Sequence, residues 1–233
     1  MSEPHGQSGD YLKPTPFIDS DHPAVVEFAH ESVAADDSDV DKAIALHDRV
    51  RDGFRYDPYT IELTVPGMRA SAVLENGFGF CISKATLLAA AARVHGIPSR
   101  MGFGDVVNHL ATERLKREMK TDLFVFHGYA DLCLDGKWVK ATPAFNASLC
   151  ERFNVEPMAF DGRNDSLFQQ SDRDGNRYME YVHDRGRYAD VPLDEIIAVW
   201  AEYYPAEMLS TDVGAGAAID GEIDEFVEAE PGG

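Results

Sequence analysis

The sequence predicts an α+β fold in which N-terminal helices pack on an antiparallel sheet. Three observations carry this. Apolar residues recur at helical spacing from His22 to His95. They alternate at strand spacing from Ser99 to Phe145. The two patterns follow one another instead of interleaving, which argues against an alternating parallel sheet.

Residues 1–20 hold three prolines and no periodicity, so an extended N-terminal arm is expected. Val25, Val26, Phe28, Ala29 and Val33 form one apolar helix face. Ser38 or Asp39 can cap a second helix carrying Val40, Ala43, Ile44, Leu46, His47 and Val50, which Gly53 and Asp57-Pro58 end. Residues 59–76 read as a loop and a short helix with Ala70, Val73 and Leu74 inward. The next helix opens at Cys81 and stops at Gly96-Ile97-Pro98. Its body, ATLLAAAARV, is apolar on nearly every side and should be buried.

SRMGFGDVVNHL then reads as a strand, and ERLKREMK as a charged connector. The run DLFVFHGYADLCLDGKWVKATPAF alternates like a hairpin about Asp135-Gly136, a type I′ turn signal. A two-residue loop sets Leu134 opposite Lys137, Cys133 opposite Trp138, and Asp131 opposite Lys140 as a cross-strand ion pair. Continued, that register sets Tyr129 opposite Thr142 and His127 opposite Ala144. Residues 147–190 are turn-rich, and PLDEIIAVWAEYYP is an amphipathic helix. Residues 21–208 thus form one domain, followed by an acidic tail, 209–233, expected to be mobile.

The net charge is −20, from 41 acidic and 21 basic residues. Such a field repels nucleic acid and anionic membranes, so neither is an expected partner. No apolar run reaches membrane-spanning length, and MSEPHGQSGDYLKP lacks the basic and apolar parts of a secretory signal, so cytoplasmic residence is expected. Cys81, Cys133 and Cys150 show no C-x-x-C spacing and are odd in number. That argues against a disulfide framework and a metal site, and no cofactor is expected.

The chemistry gathers at Cys81. A helix N-terminus offers unpaired N–H groups and a favourable dipole, and both favour a thiolate. Gly77 and Gly79 let backbone pass close to a substrate, and the Cys81 N–H can hold a developing oxyanion. Cysteine at a helix start is nonetheless more often a packing residue. Among eight histidines, His127 stands out because it lies mid-strand between FVF and GYA. Thr142 and Asn146 are diagonal neighbours of His127 in the hairpin register, and either can orient its ring. Asp131 lies about 13 Å along the strand, too far to do so.

Taken together, Cys81 at a helix start, the run AAAARVHGIPSR, and HGYADLCLDGKWVKATPAF resemble the transglutaminase-like superfamily of cysteine enzymes. ALHDRVRDGFRYDPY resembles its preceding helix, and the likeness covers about residues 40–146. The resemblance implies a papain-like α+β core and acyl transfer on a peptide or protein amide, with Cys81 as nucleophile and His127 as base. Two positions depart from the pattern: Tyr129 stands where the family has Trp, and Thr142 where it has the Asp of the triad. Either Thr142 or Asn146 orients the imidazole, or the machinery is weakened and the domain is a protein-binding module. Hydrolysis is the favoured outcome over amine transfer. Nothing in the sequence indicates oligomeric state.

Overall fold

The computed structural model describes residues 8–206, apart from 110 and 112. The acidic tail lies outside the described residues, as do residues 1–7 of the expected arm. From residue 8 that arm is packed: Ser8–Leu12 form a 3-10 turn, and Phe17 and Ile18 are buried.

Four helices come first: α1 (Pro23–Glu31), α2 (Asp39–Gly53), and, after the two-residue strand β1 (Arg55–Tyr56), α3 (Val65–Met68) and α4 (Ala70–Asn76). Pro23 starts α1, where a missing N–H costs nothing. Ser38 caps α2, its hydroxyl accepting from the Asp41 N–H. Gly77, at φ 73°, closes α4 in the left-handed conformation that glycine adopts freely. Strand β2 (Phe78–Gly79) pairs parallel with β1, and α5 (Cys81–Val94) follows at once. Every residue of α5 from Cys81 to Arg93 is buried, as its composition predicts.

The main sheet is antiparallel, built from β3 (Ser99–Asn108), β4 (Leu123–Leu134), β5 (Lys137–Ala141) and β6 (Met179–Tyr188), in the order β5-β4-β3-β6. The charged connector is helix α6 (Glu113–Met119); α7 (Ala147–Arg152) and α8 (Leu193–Tyr203) complete the fold. The hairpin register is the expected one, with Leu134↔Lys137, Cys133↔Trp138 and Asp131↔Lys140. Asp135 and Gly136 both take positive φ, as a type I′ turn requires.

The expected ion pair is not made. Asp131 accepts from Arg100 Nε at 2.8 Å, and Lys140 turns to Asp165 at 3.4 Å. Arg100 lies opposite Asp131 on β3, and both are buried, so the pair that excludes water wins. β5 also ends at Ala141, so Thr142 and Ala144 lie outside the ladder and the extrapolated pairs with Tyr129 and His127 are not formed. Instead the Thr142 N–H donates to the Ser166 carbonyl.

Candidate active site

The joint before α5 is built for close approach. The β1–β2 pairing sets Tyr56 beside Gly79. A side chain at Gly79 would stand 2.7 Å from Ser83 Oγ, so only glycine fits. Ser83 Oγ in turn accepts from the Phe80 N–H and starts the helix. Cys81 is then the first residue of α5, and only 8% exposed. The start of α5 presses on β4 at Gly128, where a Cβ would come within 3.0 Å of Ile82 Cα. This contact sets Gly128, the residue directly after His127, close enough for its N–H to favour the Cys81 sulfur anion.

Burial pushes the Cys81 thiol up to about 11, against the pull of the backbone N–H groups of Gly128, Ile82 and Cys81 itself. It pushes the His127 imidazole down to about 4. The helix N-terminus therefore does not make a resting thiolate, contrary to the sequence expectation, because desolvation outweighs it. Thiol and imidazole are both neutral at pH 7. No hydrogen bond joins them, and both ring nitrogens of His127 lack a partner.

The buried imidazole makes stability depend on pH. Its folded pKa lies below the ordinary 6.5, so unfolded chains take up the proton first as pH falls. The stability tied to its neutrality is intact above about pH 6.5 and lost progressively to about pH 4, in all about 3 kcal/mol. Urea titrations of wild type and His127→Gln between pH 7 and 4 should show a steeper acid loss in wild type. Parallel curves would mean that the ring takes up its proton in the folded state without penalty.

His127 lines a cavity with Tyr56, Phe124, Phe145, Leu149 and Tyr178, among others. Phe168 stands edge-on to its ring at 4.9 Å. Thr142 is buried beside a second cavity that Phe168 also lines, and its hydroxyl is unpartnered and makes no bond to His127. Its carbonyl lies 3.3 Å from Nε2 of His47, whose Nδ1 lies 3.0 Å from Asp48. Asn146 precedes α7; its amide accepts from the Tyr56 N–H at 3.4 Å and donates to Ser148 Oγ at 2.7 Å. Cys81 thus lies at the start of α5 against Gly128, the residue after His127 on β4, and neither Thr142 nor Asn146 bonds to the His127 ring.

Three features escape sequence reading. The Gly128 N–H favours the sulfur anion, Tyr56 stands at the joint, and Lys84 lies one turn after Cys81 with no exposure. Only Lys84 left a signal: a lone charge inside an apolar helix.

Among the described residues no group of three or more His, Cys, Asp or Glu side chains is placed to hold a metal, and no helix is long and apolar enough to cross a membrane. The family model of the transglutaminase-like superfamily matches residues 26–143, just over half of the chain. The match takes in Cys81, His127 and Thr142 and ends before Asn146. No curated protein matches the chain. Among solved structures, a proposed cysteine protease from Cytophaga hutchinsonii is similar at 18% identity and TM-score 0.46, over 60% of this chain and 43% of its own. A proposed protease from Parabacteroides distasonis is similar at 17% identity and TM-score 0.36, over 54% of this chain and 25% of its own. The chain therefore spans less than half the length of either.

Proposed function

The chain belongs to the transglutaminase-like superfamily, and from that premise we propose that it is a cysteine-dependent amide or peptide hydrolase. One observation carries the reading. Cys81 Sγ lies near the N–H of Gly128, the residue that follows His127, and neither ring nitrogen of the buried imidazole has a partner, so its unprotonated nitrogen is free to take a proton. In the cycle, the thiol proton passes to His127 as sulfur attacks the carbonyl carbon. The C–N bond then breaks, the amine leaves with that proton, and a thioester remains. Water adds to the thioester, gives a proton to His127, and releases the acid as the C–S bond breaks and Cys81 regains its hydrogen. The N–H groups around the sulfur favour its anionic form and the oxyanion beside it. A neutral resting pair suits this course, since the proton moves only when a carbonyl is present. Thr142 or Asn146 orients the ring when the site is occupied.

A second reading, a protein-binding module with an inert thiol, draws on the lack of any hydrogen bond to the imidazole. One measurement separates them. The native protein is treated at pH 7 with a mixture of peptidyl vinyl sulfones of varied side chain, or with iodoacetamide, and each cysteine is followed by mass spectrometry. The small reagent should reach half-buried Cys133 first, because Cys81 and Cys150 are buried thiols raised to about 11. The peptidyl reagents should instead mark Cys81, and His127→Ala should slow that marking about a hundredfold. Equal marking of Cys133 and Cys81, or indifference to His127→Ala, would leave the binding module as the reading.

A further inference from the structure

We propose that the cavity beside His127 receives an uncharged, apolar side chain on the acyl side of the scissile amide, with Leu149 setting how large that side chain can be. The inference rests on the hydrolase reading and names its substrate class.

Charged residues make up 27% of the chain, yet among the described residues that line the cavity there is no Asp, Glu, Lys or Arg. Tyr56, Phe124, Phe145, Phe153 and Tyr178 give it an aromatic character. A charged side chain entering there would give up its water and meet no opposite charge. An apolar one would lose only its exposure to solvent.

Two further observations tie the cavity to the reaction. His127 is 3% exposed, lines this cavity, and has two unpartnered nitrogens. A buried polar group aimed into an apolar space needs a partner that the chain does not supply, and the amide of a bound substrate would be one. Tyr56 lines the same cavity and stands on the strand paired with Gly79, two residues before Cys81. A substrate carbonyl at Cys81 would therefore place its adjoining side chain at the mouth.

The cavity measures about 30 Å³, room for one or two waters. Small side chains enter it most readily, and larger ones must displace part of the wall. Leu149 lies on α7, a helix of six residues, at a half-buried position. It lies outside the sheet, so it can be enlarged or cut back without disturbing the strands.

The test uses the full chain and acetyl-X-aminomethylcoumarin amides, with X as Ala, Val, Leu, Phe, Glu or Lys. For wild type, kcat/KM with Val or Leu should exceed that with Glu or Lys by at least about thirtyfold. Leu149→Ala should move the optimum to Phe, and Leu149→Trp should confine cleavage to Ala. Cleavage of Glu or Lys at the Leu rate, or Leu149 variants that scale every substrate alike, would overturn the inference. If wild type cleaves none of the six, peptidyl vinyl sulfone marking of Cys81 decides which idea fails. Marking that depends on His127 would retain the hydrolase and reject the apolar pocket, while its absence would reject both.

Discussion

Replacing Lys84 with methionine is expected to cost about 4 kcal/mol of folding stability, because three carbonyls, one buried and two part-buried, lose their common donor. Lys84 Nζ donates to Arg51 O at 2.9 Å, Phe54 O at 2.8 Å and Ala144 O at 2.8 Å. A neutral amine has only two N–H bonds, so three such contacts require the ammonium. Burial opposes this and pushes the group down to about 7. The carbonyls of Arg51 and Phe54 lie at the C-terminal end of α2, where helix carbonyls are unpaired and the dipole favours a cation. Methionine matches the stem of lysine and removes the donors, so the effect isolates the head group. Lys137→Met, at an exposed position at the start of β5, should stay within about 0.5 kcal/mol of wild type. Urea unfolding of the three proteins measures this directly. A loss below about 1 kcal/mol at Lys84 would mean that the carbonyls find other partners, and that the ammonium does not join α2, α5 and the segment after β5.

What the sequence made legible follows from how local each determinant is. The β4–β5 register depends on two turn residues and a period of two, so it could be written down without a structure. The start of α5 was legible because Gly77, Gly79 and the apolar run sit within twenty residues. β6 was not: five exposed residues run consecutively through Met179–Tyr188, so its side chains show no alternation to read. The partner of Asp131 was misassigned because the sequence shows the strand across the turn but not β3 on the other side. The Lys84 carbonyls lie at positions 51, 54 and 144, and no window of sequence contains all of them. The protonation state of Cys81 failed for a related reason. Its helix N-terminus is local and visible, whereas its burial is a property of the whole fold, and burial decides.

Asp105→Ala is expected to lower kcat about a hundredfold while changing KM less than about threefold, because it releases the bulge that aims His127. Between Gly104↔His127 and Val106↔Phe124, β4 carries one residue more than β3. A bulge of this kind bends a strand and redirects its side chains. Here it takes in Phe126, whose φ is +56°, a backbone state costing about 1–3 kcal/mol for a residue with a side chain. Something must hold that conformation. The Phe126 N–H donates to Asp105 Oδ1 at 3.0 Å, and Arg185 grips the same carboxylate through Nε at 2.9 Å and Nη2 at 2.7 Å. The Arg185 guanidinium also lies 5.2 Å from the centre of the Phe126 ring. Without the carboxylate the N–H is buried and unpaired, and the backbone relaxes towards negative φ, turning the peptide that carries His127. Asp105→Asn keeps an acceptor for the N–H but loses the ionic grip of Arg185, so it should fall between wild type and Asp105→Ala. Equal losses in the two variants would move the cause from the N–H bond to the arginine. A folded Asp105→Ala protein with unchanged kcat and an unchanged rate of Cys81 marking would show that β4 keeps His127 in place on its own.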